Sequence, residues 1–406
     1  MATFIMPESQ VVSEHENVVG ISCTEDDIMN PEWLGAKLNQ PVSSVVAESL
    51  SSAGGLSAVM KRIVVTNDEC RRTFVLKTMA ASEFSKNVGL YREAYFFKLF
   101  SGAFPTGFLP KVYIVHGNAN TGRKLILFED LAPAIQTGYF FGPGSPLNWG
   151  KDLDSIISLA PLVSVADILN EVAILAGKMH SKFWMRPDLL SNNWLRGSKW
   201  QSGANESEWV NGQNSIRSMW HATKAKIGNI DYGVSWDSKL VNIIDSSMAK
   251  VSWIDFQSRI QSESWTLVHG DFHPANMMWR TTTDQEAAHS SPLVILDWEV
   301  VGLGSGAQDL GQYMISHTSP EKRRECEDSF LRTYYIELTK TVSETEYTWT
   351  KCRQDYIAGG SERWIWLLVY LTTLCPAKMV QYFHDQVGAF LFDHNVTPDS
   401  VGMPRL

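Results

Sequence analysis

The run His269-Gly270-Asp271-Phe272-His273-Pro274-Ala275-Asn276 is followed by Val294-Ile295-Leu296-Asp297-Trp298-Glu299. Together they place an acid, an amide five residues later, and a second acid at the end of an apolar run. That layout suits phosphoryl transfer. Asp271 can orient an incoming hydroxyl and accept its proton. Asn276 is neutral and cannot serve as a base, but its amide oxygen and the Asp297 carboxylate can hold the magnesium ions that bridge ATP phosphates. Each residue also has a plainer role: Asp271 as a turn former after Gly270, Asn276 as a cap, and Asp297 as a strand-end cap. The order and spacing of the three favour the chemical reading. Glu299 stays open between a metal ligand, a residue that holds water, and a member of an ordinary ion pair.

Other residues can serve the same nucleotide. Lys77 is the single cation in Phe74-Val75-Leu76-Lys77. A lysine on a half-buried strand needs a partner, and ATP phosphates or Glu93 on the following helix can supply one. A solvent-facing lysine on an edge strand is the simpler option. Gly54 and Gly55 permit a close approach of backbone N–H groups to phosphate, although two glycines also make an ordinary hairpin turn. Glu129 and Asp130 end the run that starts at Leu125, a connector whose backbone can meet an adenine ring. His180, His269 and His273 lack metal-ligand spacing and read as packing or hydrogen-bonding residues. Asp309 reads as a brace for the loop of Asp271. Trp364, Trp366 and Tyr370 fit a helix core better than a cage for a cationic amine.

These side chains need elements to hold them. Residues 42–50, 57–65 and 73–79 read as strands of antiparallel character, 88–100 as a helix, and 111–116 and 124–128 as a hairpin. Beyond Leu131 the character changes. Residues 136–149 read as a loop, 165–184 as an amphipathic helix, and 190–265 and 319–392 as mostly helical. Short strands at 266–268 and 293–296 flank the motifs, and 302–306 reads as a flexible loop. The predicted organisation is a loose polar leader over 1–30, a strand-built lobe over 31–130, and a mainly helical lobe over 131–406 that carries the motifs.

A chain of 406 residues suits two lobes that share a cleft. Its net charge of -9 argues against a nucleic-acid partner, because phosphate backbones need a basic surface. The five cysteines are scattered and form no Cys-x-x-Cys pair, which points to a reducing compartment rather than a disulfide scaffold. The first ten residues do not read as a signal peptide, and the longest apolar run, near 364–375, is too short to span a membrane. The expectation is a soluble, cytoplasmic protein without membrane insertion.

The set Lys77, Glu93, His269-Gly270-Asp271, Asn276 and Ile295-Leu296-Asp297-Trp298-Glu299 resembles the aminoglycoside phosphotransferase and choline kinase-like superfamily. Pro31-Glu32-Trp33-Leu34, Gly54-Gly55-Leu56-Ser57, Tyr91-Arg92-Glu93, Phe128-Glu129-Asp130-Leu131 and the segment from Gly177 to Trp184 resemble its ecdysteroid kinase-like branch. The resemblance covers roughly residues 31–390. It implies a protein kinase-like α+β fold, with a small antiparallel-sheet lobe, a larger helical lobe, and ATP and magnesium in the cleft. The implied reaction transfers the γ-phosphate to a hydroxyl of a small-molecule acceptor. Asp271 would be the base, Asn276 and Asp297 the magnesium ligands, and Lys77, paired with Glu93, the phosphate-binding lysine. Gly54, Gly55 and Glu129 would contact the nucleotide. Ala58 stands where many members have a second glycine, which puts loop contacts there in question. No Asp-Phe-Gly or Ala-Pro-Glu segment occurs around or after Asp297, which counts against a protein substrate. The competing reading is a pseudokinase-like binding or scaffold protein without turnover.

Overall fold

The computed structural model of the chain describes residues 17–50, 58–68, 70–281 and 291–405. Its first lobe consists of β1 (Val18–Gly20), α1 (Glu25–Met29), α2 (Pro31–Leu38), β2 (Ser44–Ser49), β3 (Val59–Thr66), β4 (Arg71–Met79), α3 (Glu83–Val88), α4 (Arg92–Leu99), β5 (Val112–Asn118) and β6 (Arg123–Glu129). The strands form one antiparallel sheet in the order β1-β5-β6-β4-β3-β2. Alternation along these strands sends Ile63, Val65, Phe74, Leu76, Leu125 and Leu127 into a common apolar core.

Two expectations are corrected in this lobe. Residues 18–30 are not a loose leader. Val18, Val19 and Gly20 pair with β5, and Cys23 and Ile28 are buried in or against the sheet. The acidic run that suggested a solvated segment is instead a helix start, where Thr24 and Asp27 form a reciprocal cap. The helix expected over 88–100 begins later, as α4 (Arg92–Leu99), and is preceded by the short helix α3, which was not expected. Gly89 ends α3 at φ +81, and a Cβ there would lie 2.2 Å from the Arg92 guanidinium.

The second lobe follows with β7 (Ile135–Gln136), α5 (Leu153–Ile157), α6 (Val165–Lys182), α7 (Ser198–Gln201), α8 (Glu206–Lys224), α9 (Ser238–Ala249), α10 (Trp253–Ile260), β8 (Thr266–Val268), β9 (Met277–Trp279), β10 (Leu293–Ile295), β11 (Gly302–Gly304), α11 (Gly306–Ser316), α12 (Pro320–Thr339), α13 (Trp349–Leu374) and α14 (Ala377–Asp393). Ser164 and Asp167 cap α6, which buries Ile168, Val172, Leu175, Ala176 and Met179 on one stripe. The architecture is α+β, a lobe built on one antiparallel sheet followed by a larger, mainly helical lobe. No described helix is long and apolar enough to cross a membrane.

The glycines at 302–306 do not make a flexible loop. Gly302–Gly304 is strand β11, buried and paired with β8, and Gly306 begins α11. Glycine is needed there because a Cβ on Gly302 would sit 2.5 Å from the Arg196 carbonyl oxygen.

Helices α11 and α13 cross at a similarly close contact. A Cβ on Gly311 would lie 2.5 Å from the Gly360 Cα. Alanine is the better helix former by about 1 kcal/mol, but backbone on the facing helix cannot yield as a side chain can. Gly311→Ala is therefore expected to destabilise the protein by roughly 1–3 kcal/mol in denaturant unfolding. Gly102→Ala is the control, since nothing lies within 4 Å of its Cβ position. A neutral Gly311→Ala would show that the crossing is looser than this packing implies.

Candidate functional site

The loop after β8 is held by its own backbone. The N–H groups of His269 and Gly270 donate to the buried Asp309 carboxylate at 2.7 and 3.1 Å. Gly270 lies at φ +79, and a Cβ there would meet the Val300 carbonyl oxygen at 2.5 Å. The loop then enters β9, which pairs with β10 so that Met277 opposes Ile295. One residue beyond that pair, the Leu296 N–H donates to the Asn276 carbonyl at 2.8 Å. Antiparallel pairing thus brings Asn276 and Asp297 together. Asp297 takes up the left-handed region at φ 63, a conformation rare for a non-glycine residue. The ring of Trp298 stacks on Phe96 of α4 at 3.9 Å and 8°. This contact fixes the turn of Asp297 against the helix that carries Glu93.

Asp271 is held from three sides. The Asn276 amide nitrogen donates to its backbone oxygen at 3.0 Å and to Oδ2 at 3.2 Å. Gln312 Nε2 donates to Oδ1 at 2.8 Å, and His273 Nε2 lies 3.3 Å from Oδ2. Burial by itself would push this carboxyl up, but His273, with His269 and Arg363 behind it, outweighs burial and holds it well below the ordinary carboxylate range. His273 answers in the opposite sense: burial would lower it, and Asp271 draws it up. His317 stacks on His273 at 5.5 Å and is pushed down to about 3 by burial and by that neighbour. Asp271 is therefore ionised through the neutral range. Its depressed value contributes stability above the unfolded carboxyl's titration range, and this is lost as pH falls through the folded value. In His273→Ala the Asp271 carboxyl is expected to titrate higher, toward ordinary aspartate, as followed by carbon-13 NMR of labelled protein. An unmoved titration would rule out the His273 contact as the cause.

Across the cleft lies a buried ion network. Lys77 Nζ contacts Glu93 at 2.8 Å, Asp297 Oδ1 at 2.7 Å and Glu299 Oε1 at 3.1 Å. Burial would lower the Lys77 pKa, but Asp297, Glu93 and Glu299 together raise it well above the usual value. Lys124 pairs with the same Glu93 and Glu299. Glu299, left open above, therefore takes the ion-pair role between the two lysines.

Lys124 was missed by sequence reasoning, which read it only as the start of a strand. Its signal lies in register: Ile126 faces Lys77 across the β4–β6 pair, and Lys124 is two positions from Ile126, hence on the same face. Carboxylate oxygens of Glu93, Asp297 and Glu299 all lie within 4.8 Å of one another. Two lysines facing three acids leave one negative charge in excess. With the Asn276 amide nearby, this oxygen-rich set fits a hard divalent cation.

The remaining residues fall as follows. The Glu129 carboxylate accepts from the Lys111 N–H at 2.9 Å and pairs with Arg280 at 2.7 Å, and the Glu129 N–H donates to the Lys111 carbonyl at 2.8 Å. Gly54 and Gly55 lie outside the described residues. Trp364 is buried against Phe383, as a helix-core residue. Gln312 had no sequence signal, because only the packing of α11 under the loop aims it at Asp271.

Residues 199–347 match the ecdysteroid kinase-like family, which bears out the family read from the motifs. No curated protein matches the chain. Among solved structures, choline kinase LicA from Streptococcus pneumoniae is similar at 13% identity and a TM-score of 0.46, over 91% of this chain and 100% of that one. An ethanolamine kinase from Plasmodium vivax is similar at 11% identity and a TM-score of 0.44, over 85% and 81%. A spectinomycin phosphotransferase in complex with ADP and spectinomycin is similar at 10% identity and a TM-score of 0.40, over 91% and 98%.

Proposed function

We propose that this chain is an ATP-dependent kinase of the cytoplasm that phosphorylates a hydroxyl of a small-molecule acceptor. One observation carries the reading: Asn276 touches Asp271 on one side and is tied to the turn of Asp297 on the other, with Lys77 joining Asp297 to Glu93. Residues 18–130 form the nucleotide lobe, with Gly54, Gly55 and Glu129 as its proposed nucleotide contacts, and the helical lobe from residue 131 onward supplies the catalytic loop and acceptor pocket.

Asn276 and Asp297 would hold magnesium, which when bound neutralises phosphate charge. Lys77, kept charged by its acids, pairs with phosphate oxygens. The Asp271 carboxylate accepts the acceptor's hydroxyl proton. The acceptor oxygen then bonds to the γ-phosphorus, and ADP departs with the electrons of the broken P–O bond. Gln312 and His273 hold both carboxylate oxygens of Asp271, so the base is oriented before the acceptor arrives.

The test combines melting temperature with ADP release over a panel of alcohols. The expected result is a magnesium-dependent upward shift with ATP, and ADP release that depends on the acceptor. No shift at millimolar ATP and magnesium would favour the binding or scaffold reading instead.

A further inference from the structure

Behind the catalytic loop lies a cavity lined by Arg196, Trp200, Trp209, Phe256, Trp265 and Gly270, among others. It reaches the residue that precedes Asp271. Most of its charges are satisfied. Arg259 pairs with Glu362 at 3.0 Å, and Arg405 pairs with Glu263 at 3.0 Å and with Glu362.

Arg196 differs. Its backbone is fixed to the β11 segment, through Val301 at 3.2 Å and Leu303 at 2.8 Å. Among the described residues its guanidinium has no hydrogen-bond or ion-pair partner. Burial, together with the nearby Arg363 and Arg92 cations, depresses its pKa well below the usual arginine value, and only Asp271 acts the other way. Arg363 is 3% exposed and donates to the Gly270 carbonyl at 3.0 Å. Its Nε and Nη1 are buried without a partner. Two guanidiniums with unused donors therefore flank the catalytic loop, beside an aromatic cavity. Arg196 is half-buried, whereas the unpaired Arg363 donors are fully buried; those donors and the uncompensated charge of the two cations are costly, and an incoming anion relieves both. A cationic amine would find the cavity's Glu263 already occupied by arginine.

We propose that the acceptor is an anionic alcohol, with a carboxylate, phosphate or sulfate on an apolar body, and that Arg196 receives the anion while the tryptophans cover the body. This rests on the kinase reading above and names its substrate class.

The experiment compares para-(hydroxymethyl)benzoate, its methyl ester and para-(aminomethyl)benzyl alcohol. Each is tested for ADP release, and for binding by calorimetry to the protein with ADP and magnesium. The carboxylate is expected to exceed the ester and the amine on the order of tenfold to a hundredfold in kcat/KM and in affinity. Arg196→Gln collapses that ratio, and Arg196→Lys retains part of it, with melting temperatures checking that both fold. A preference for the ester or amine, no binding by any probe, or an unchanged ratio in Arg196→Gln overturns the proposal. Equal losses for carboxylate and ester in Arg196→Gln also overturn it, and would place Arg196 on the phosphoryl group. Carboxylate binding that depends on Arg196 but is not followed by turnover of any alcohol would support the anion site and count against the kinase reading.

Discussion

Asp271→Asn is expected to lower kcat by about a hundredfold to ten-thousandfold while ATP affinity stays within a few-fold. Asparagine keeps nearly the same shape, and its Oδ1 still accepts the Gln312 amide that lies 2.8 Å from the native carboxylate. What disappears is the proton acceptor, which acts mainly in the transition state. Nucleotide contacts lie elsewhere, on Lys77, Asn276 and Asp297 in the proposed roles. The measurements are ADP release with a turned-over alcohol and calorimetric titration with ATP and magnesium. An unchanged kcat would remove Asp271 from the role of base. A fall in ATP affinity as large as the fall in rate would mean that the substitution disrupts the metal site instead.

The second large effect concerns folding. Lys124→Met is expected to destabilise the protein by about 3–5 kcal/mol. Lys124 is 1% exposed and pairs with Glu93, also 1% exposed, and with Glu299 at 6%. At that depth water screens little, so solvent does not make up for the lost cation. Methionine fills most of the volume but leaves Lys77 alone to balance three carboxylates. Adding Glu299→Gln removes one of those charges and should recover part of the loss. Urea unfolding of the single and double variants measures this. A single-variant change below about 1 kcal/mol, or a double variant no better than the single, would show that the network does not hold the lobes as described.

The motif residues were legible because their spacing is local. Asp271 and Asn276 share one loop, and Asp297 ends an apolar strand, so type, order and neighbouring elements already suggested a common centre. The apolar run Phe74–Leu76 that ends in Lys77 and the apolar stripe of α6 were equally plain, since a short apolar run and a period of 3.6 are written in the chain itself. Misreadings arose where composition misled. The polar residues around Glu25 hid a capped helix, and the glycines at 302–304 suggested mobility where a buried strand needs close approach.

The chain by itself therefore determined the chemistry on offer: which groups can accept a proton, hold a hard cation, or meet phosphate. The tertiary structure decided their partners. Register put Lys124 beside Lys77, the seat of α11 aimed Gln312 at Asp271, and the packing set Arg196 near the Arg363 and Arg92 cations with no partner among the described residues. Such contacts join residues far apart in the chain, and their energies depend on burial and distance, which no local pattern of residue types encodes.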